Sequence, residues 1–392
     1  MGADHVGTGG RSGVGLLSEA GRVGLRPELR EVVEYRKSGL SLNWIVGCPL
    51  DCGYCVRHLF GNFGMKVPRA LTTDEEAVEA LVSHRFFRPH VTPVQLLNRA
   101  TDPMLPAVKP HLLRVLGMLD ERGLTNHVLV ITRWRIEPED CAALDALRNL
   151  RVTMLVTHSG IEDDRVEPVD SGIAAESLRT AFVHAERFRV VLYWRPIVPG
   201  LNDSDAHLAR GLELSRFAHA AVFTGLFYRD EIRDYYRSHG LPEPYEDQAR
   251  RKIFPEVLEA RILAAAAGRP PGGAVLFRKT SCAVAYAHGT ADYNGHVGIR
   301  ELCDICPVSQ LARCENAWSV PDPGVVAAMV KEVGGRLVGI TGRAVVVEGL
   351  DEQRRYFLQH GLGFQVHDAS KPHHPHRHGR ADLGWPVIPE AS

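Results

Sequence analysis

Seven of the eight cysteines in this chain fall into two groups whose spacing suits metal chemistry. Cys48, Cys52 and Cys55 form a C-x3-C-x2-C loop directly after an apolar run. Three thiolates on so short a loop can hold three irons of a cubane 4Fe-4S cluster and leave the fourth iron without a protein ligand. An open metal position marks a reactive site, by the same logic that separates catalytic from structural zinc. The competing arrangement is a zinc knuckle completed by His58, but zinc loops favour paired C-x2-C hooks over three thiols in eight residues. Cys282, Cys303, Cys306 and Cys314 give the second group, C-x20-C-x2-C-x7-C. Four thiols with a C-x2-C hook can fully ligate a second 4Fe-4S cluster or close a tetrahedral zinc site. Pro307 after Cys306 echoes the Cys-Pro of ferredoxin-type loops and favours iron over zinc. Cys141 stands alone on a helical pattern and reads as a small buried apolar residue.

The elements that must position these thiols alternate along the chain. Short β-branched or apolar runs predict strands over 40–46, 94–97, 128–132, 152–157, 190–195 and 220–223. Helical patterns over 73–84, 108–122, 138–147, 174–188 and 204–217 separate them, with a capping box at Thr73 and Glu76. Strands each followed by a helix imply parallel pairing through right-handed crossovers. The expected fold is therefore α/β, a partial (β/α)6 TIM-like barrel with reactive groups at the C-terminal strand ends, although a doubly wound open sheet shows the same alternation. A long helix over 246–267 ends at Gly268 and the Pro270-Pro271-Gly272-Gly273 breaker, which reads as a domain boundary. The expected organisation is a flexible leader over 1–25, a barrel over 38–270 and a cysteine-rich extension over 274–320. A small α+β tail over 321–368 and a His-rich flexible C-terminus over 369–392 complete it.

Composition excludes several classes. The 392 residues carry 46 Lys plus Arg against 47 Asp plus Glu, a net charge of −1, with 45% hydrophobic and 24% charged residues. These values exclude wholesale disorder, collagen-like sequence and coiled coil, and argue against a whole-surface trap for polyanions. The basic runs 85–88 and 250–252 read as solvated faces rather than a nucleic-acid groove. No run of eighteen apolar residues exists, and residues 1–23 lack a signal-peptide core, so a cytoplasmic protein is expected, where clustered thiols hold metal more often than they pair. The glycines of the leader lack the strand and the Gly-Lys-Ser/Thr that a phosphate loop needs.

The C-x3-C-x2-C loop, with aromatic Tyr54 before its last cysteine and a strand before its first, resembles the signature of the radical S-adenosylmethionine superfamily. The likeness covers about residues 38–270. Within it, Asn98-Arg99-Ala100-Thr101-Asp102-Pro103, Thr132-Arg133, Thr157-His158-Ser159 and Arg165-Val166-Glu167-Pro168 are similar to segments of the spore photoproduct lyase-like group. Arg195-Pro196-Ile197-Val198-Pro199-Gly200-Leu201-Asn202-Asp203 is similar to the fifth-strand turn of many superfamily members. The resemblance implies S-adenosylmethionine chelating the open iron. An electron from the reduced cluster then cleaves the sulfonium to a 5′-deoxyadenosyl radical, which removes a substrate hydrogen. It places Tyr54, Asn98, Asp102, Arg133, Ser159 and Arg195 at the cofactor, with Asn98, Arg133 and Ser159 facing its methionine carboxylate or ribose. Arg133 stands where the group usually has lysine, which keeps the charge and changes the donor geometry.

The chain also departs from that lyase. Leu96-Leu97 stands where the enzyme carries a thiol hydrogen donor, and no D-x-H-x-x-G cobalamin motif is present. The second cysteine group does not follow the seven-cysteine SPASM pattern. The expected activity is radical chemistry on a small metabolite or peptide, supplied with electrons by a donor such as flavodoxin or ferredoxin and acting without a membrane. A nucleic-acid lyase or modification enzyme and a non-catalytic iron–sulfur or zinc regulatory module are the alternatives. The polar stretch 286–296 could cover the barrel mouth or be a plain surface loop, Phe227-Tyr228-Arg229-Asp230 is another mouth candidate, and the His-rich run 371–378 reads as a disordered tail.

Overall fold

The computed structural model describes residues 13–245, 255–268, 273–298 and 300–370. Its strands are β1 (Val33–Arg36), β2 (Gly39–Leu42), β3 (Ile45–Val46), β4 (Arg69–Ala70), β5 (Val94–Leu96), β6 (His127–Thr132), β7 (Arg151–His158), β8 (Arg189–Ile197), β9 (Ala220–Gly225), β10 (Leu276–Phe277), β11 (Arg336–Ile340), β12 (Ala344–Glu348) and β13 (Gln365–Asp368). The main sheet has eight strands in the order β1-β2-β5-β6-β7-β8-β9-β10. β1 is antiparallel to β2 and every other neighbouring pair is parallel. Among the described residues no ladder joins β1 to β10, so the sheet is open at its hydrogen-bonded edges. Five of the six expected strands lie in it, with the first half of the remaining one, and β1 and β10 extend it at the two ends.

Parallel strands are buried on both faces, which is why β6 and β8 read as nearly unbroken apolar runs. One face carries the crossover helices, including Asp74–Val82, Lys109–Glu121, Pro138–Asp145, Ser171–His184 and Asp205–Leu214. The first of these has the expected capping box, with both Thr73 and Glu76 halves made. The other face, built from Leu129, Leu155, Val191, Tyr193, Ala220 and Val222, packs against Phe277 and against Ala283 and Val284 of the helix Thr280–Ala287. The helix that carries Cys282 therefore lies on the inner face of the sheet.

The expected first strand over 40–46 is split. Asn43 donates its backbone N–H to Val32 and its side-chain amide to Ser41 Oγ, and the chain then leaves the main sheet, so that β3 pairs with β4 instead. Gly47 permits this turn: its φ is +98° and an added Cβ would lie 2.3 Å from the Val67 carbonyl oxygen. Part of the expected leader is structured. Leu16 bridges to Ala70, and Ser18 caps a helix over Glu19–Val23. Residues 1–12, most of the breaker, 250–252 and the run 371–378 lie outside the described residues, as do 246–254 of the expected long helix, whose described part is Glu256–Ala267. The tail forms the sheet β11-β12-β13 with helices Pro323–Glu332 and Glu352–Leu362, and the latter packs Phe357 and His360 against Tyr35 of β1.

Candidate metal and cofactor site

The loop after β3 is built around a buried guanidinium. Arg57, 2% exposed, donates to the carbonyls of Cys48, Asn62, Phe63 and Met65 at 2.9, 2.8, 2.9 and 2.6 Å. These bonds close the segment that carries all three thiols. A second loop, between β7 and the helix Ser171–His184, docks on it where Gly53 donates to the Val166 carbonyl at 2.8 Å. Only glycine fits there, since an added Cβ would lie 2.9 Å from the Arg165 carbonyl oxygen and 2.8 Å from the Tyr235 ring.

Cys48, Cys52 and Cys55 line one pocket with Tyr54, Leu97, Asn98, Asp102, Arg133 and Arg195. Asn98, Arg133 and Arg195 follow or end β5, β6 and β8, so the pocket sits at the C-terminal ends of the parallel strands, where such sheets place ligands. Burial raises the thiol pKa of Cys48, and raises that of Cys52 well above its ordinary value. Both are therefore thiols until a cation draws off the proton.

The sequence-derived residues take different parts. Asp102 accepts from Thr132 Oγ1 at 2.6 Å, the Arg133 N–H at 2.8 Å and the Met104 N–H at 2.9 Å, which joins the loops after β5 and β6. Burial outweighs those donors and raises its carboxyl pKa. Asn98 accepts from Ser41 Oγ at 2.5 Å and donates to Gln95 Oε1 at 2.9 Å. Arg195 lies with its guanidinium 4.9 Å from the Tyr193 ring centre and donates to that hydroxyl at 3.3 Å, while its Nε is buried without a hydrogen-bond partner among the described residues. Leu97 lines the pocket at φ +53°, an apolar side chain in a strained backbone position. Ser159, expected to face the cofactor, does not line this pocket; its hydroxyl donates to Glu167 at 2.9 Å and it borders a separate cleft beside the helix Ser171–His184.

Residues the sequence left without a role complete the site. Glu167 is 6% exposed and accepts from Tyr54, Ser159 and Arg133. Its segment is visible as Arg165-Val166-Glu167-Pro168, but nothing in the residue types says that the carboxylate reaches back to the cysteine loop. Arg57 leaves no sequence signal at all, because its hydrogen-bond acceptors among the described residues are all backbone carbonyls.

The helix Thr280–Ala287 and the chain to Cys314 bring the second thiol group together. The charges of Cys303, Cys306 and Cys314 bear on Cys282, whose thiol pKa burial first, and these neighbours with Asp292, hold well above normal. Burial and the adjacent thiols push Cys306 to about 12. Asp292 and His296 join them: Cys282 Sγ lies 3.7 Å from Asp292 Oδ1 and 3.9 Å from His296 Nδ1. Asp292 Oδ2 accepts the backbone N–H groups of Asn294 at 3.1 Å and His296 at 2.9 Å, which shapes the loop. Among the described residues, Cys282, Asp292 and His296 are the only three-donor set whose ligand atoms lie within 4.8 Å of one another. Tetrahedral zinc, with Zn–S near 2.3 Å, needs thiolates about 3.8 Å apart. Neither the first three thiols with His58 nor the four later thiols are gathered so closely. His58 instead stacks on Phe63 at 3.7 Å between ring centres, and burial lowers its pKa to about 4.

The stretch 286–296 neither covers the mouth nor forms a surface loop. His288 meets Thr153 Oγ1 at 2.9 Å and the ring of His127, at the N-terminal ends of β7 and β6, while Asn294 is bound by Gln359, His360 and Gln365 of the tail. Cys141 is fully buried on the helix Pro138–Asp145. Arg88 of the basic run pairs with Glu332 of the tail at 2.6 Å, ahead of β5 and away from the cysteine pocket.

No protein-family model matches the chain, and no curated protein does. Among solved structures it is similar to a spore photoproduct lyase complexed with dinucleoside spore photoproduct, at 15% identity over 64% of this chain and 79% of that one, TM-score 0.44. A double mutant of that lyase with bound AdoMet and the dinucleoside gives 14% over 63% and 78%, TM-score 0.45. Streptococcus suis SuiB bound to the precursor peptide SuiA gives 11% over 58% and 45%, TM-score 0.41.

Proposed function

We propose that the chain is a radical S-adenosylmethionine enzyme, with a 4Fe-4S cluster on Cys48, Cys52 and Cys55. The observation that carries this reading is one pocket at the C-terminal strand ends, where three thiols meet Tyr54, Asn98, Asp102, Arg133 and Arg195. The donor set fits a cluster. The three thiols are held on a loop closed by Arg57, do not all lie within 4.8 Å of one another, and include two whose pKa burial raises, so that a bound cation would draw off their protons. Once bound, the reduced cluster would supply the electron that cleaves S-adenosylmethionine to the 5′-deoxyadenosyl radical that abstracts the substrate hydrogen.

The chain's own residues have separable parts. Arg57 and Gly53 hold the thiol loop, and Asp102 fixes the β5 and β6 loops against each other. Arg133 and Arg195 give the pocket two cations for a ligand carboxylate, and the ring of Tyr54 lies against the Arg133 guanidinium. Leu97 and Ile131 add apolar walls, which limit the side reactions of a radical. For the four later thiols we infer a second 4Fe-4S cluster, able to accept an electron in a net oxidation or to anchor the substrate, and the nearness of Cys303, Cys306 and Cys314 to Cys282 supports this.

The substrate class is a small metabolite or peptide. Net charge near zero and the engagement of Arg88 with the tail support this over a nucleic acid. Electron paramagnetic resonance of the anaerobically reconstituted, dithionite-reduced protein tests the proposal. S-adenosylmethionine shifts the cluster signal in wild type and leaves it unchanged in Cys52→Ala, whereas a signal insensitive to S-adenosylmethionine in wild type contradicts it.

A further inference from the structure

Glu167 sits between the thiol loop and Arg133 in a way that defines what Arg133 can bind. Its Oε2 accepts from the Tyr54 hydroxyl, from Ser159 Oγ at 2.9 Å and from Arg133 Nη1 at 2.7 Å, and its Oε1 accepts from the same Nη1 at 2.8 Å. Oε1 also lies 3.9 Å from Cys52 Sγ. Arg133 Nη1 donates to the Tyr54 hydroxyl as well, and the guanidinium carbon lies 4.8 Å from the Tyr54 ring centre.

A guanidinium has five N–H donors arranged along two usable edges. Every hydrogen bond of the Arg133 side chain uses Nη1, so Nε and Nη2 have no hydrogen-bond partner among the described residues. The side chain is 14% exposed and lines the cysteine pocket. The Nε/Nη2 edge is the geometry that grips a carboxylate through two parallel bonds. An ammonium at this position would be a point charge with no edge to orient, whereas an arginine needs one nitrogen anchored for the opposite edge to hold a direction.

We propose that Glu167 is a positioning residue that anchors Arg133 by Nη1 and turns its free edge into the pocket, so that selectivity for a carboxylate-bearing ligand depends on Glu167. This rests on the reading of the pocket as an S-adenosylmethionine site. The carboxylate read in this way is that of the methionine moiety. Glu167 itself does not line the cysteine pocket, and it acts through the arginine that does.

The test is equilibrium binding to the anaerobically reconstituted protein, with S-adenosylmethionine and with its decarboxylated analogue, which keeps the sulfonium, the adenosine and the amine. Wild type prefers the carboxylate-bearing ligand. In Glu167→Gln that preference falls by roughly tenfold, the scale of one charge-assisted contact, while affinity for the decarboxylated analogue stays within about twofold. Glu167→Asp, with its carboxylate withdrawn by one methylene, shows a smaller loss of preference, and it carries the test if Glu167→Gln fails to load iron. Equal weakening for both ligands overturns the proposal, because that is what a purely structural role produces. A preference retained in an iron-loaded variant, or a wild-type preference near one, overturns it as well. A wild type that binds neither ligand overturns instead the S-adenosylmethionine reading beneath it.

Discussion

Arg57→Ala removes the side chain that ties the four carbonyls of Cys48, Asn62, Phe63 and Met65 to one point. At about 1.5 kcal/mol for each bond to a charged donor, the four together contribute about 6 kcal/mol, comparable to the whole stability of many domains. The loop between β3 and β4 can open without unfolding the sheet, so the loss falls first on the thiols it carries. Arg57→Lys supplies at most three donors and no planar fork, and forfeits about 2 kcal/mol, a fall in Tm of roughly 4–8 °C for a unit of this size. The assay is iron and sulfide content after anaerobic reconstitution, alongside thermal melting. Arg57→Ala loads the second thiol group but not the first, and Arg57→Lys loads both and melts early. If Arg57→Ala retains full iron and melts within 2 °C of wild type, the claim that this guanidinium organises the thiol loop is wrong.

Gly53→Ala forces a Cβ to within 2.9 Å of the Arg165 carbonyl oxygen, so it lifts the Glu167 loop off the cysteines and costs about 1–3 kcal/mol; a melt and a binding titration check both effects. Cys282→Ser lowers iron from about eight to about four per chain and leaves the first cluster intact, because a fully ligated cubane needs all four thiols. Cys141→Ala leaves iron content and S-adenosylmethionine cleavage unchanged and costs about 1 kcal/mol of stability, since the residue fills core volume alone. Acid destabilises the protein through buried histidines. Burial lowers the His360 pKa to about 3, so below about 6.5 the unfolded chain takes up a proton that the folded one refuses, and stability falls as pH falls. From pH 6.5 to 5 this costs about 2 kcal/mol, measurable as a shift in denaturation midpoint, and His360→Gln flattens the dependence by about that amount.

The thiols, the β/α order and the mouth residues were legible because each leaves a local mark. The cysteine loop declares itself by spacing, and the strands by β-branched runs between capped helices. What escaped was long-range. Ser159 carries the right motif, but its hydroxyl is taken by Glu167, a partner eight residues on whose reach back to Tyr54 no periodicity encodes. The polar stretch 286–296 reads as either a cover for the barrel mouth or a plain surface loop because its residues are polar, yet Asn294 is bound within the tail by His360 at 2.6 Å and by Gln365 at 2.6 Å. Such groups are buried only where distant side chains satisfy them, and those partners lie more than sixty residues away. The split of the first strand at Asn43 has the same origin, since the competing hydrogen bond comes from Val32, outside the run.

The central claim is that Cys48, Cys52 and Cys55 hold a cluster that cleaves S-adenosylmethionine. Product analysis of the anaerobically reconstituted protein with dithionite and S-adenosylmethionine tests it most directly. Wild type is expected to release 5′-deoxyadenosine, and Cys48→Ala, Cys52→Ala and Cys55→Ala are expected not to. Wild-type protein that carries a full complement of iron and releases no 5′-deoxyadenosine would contradict it.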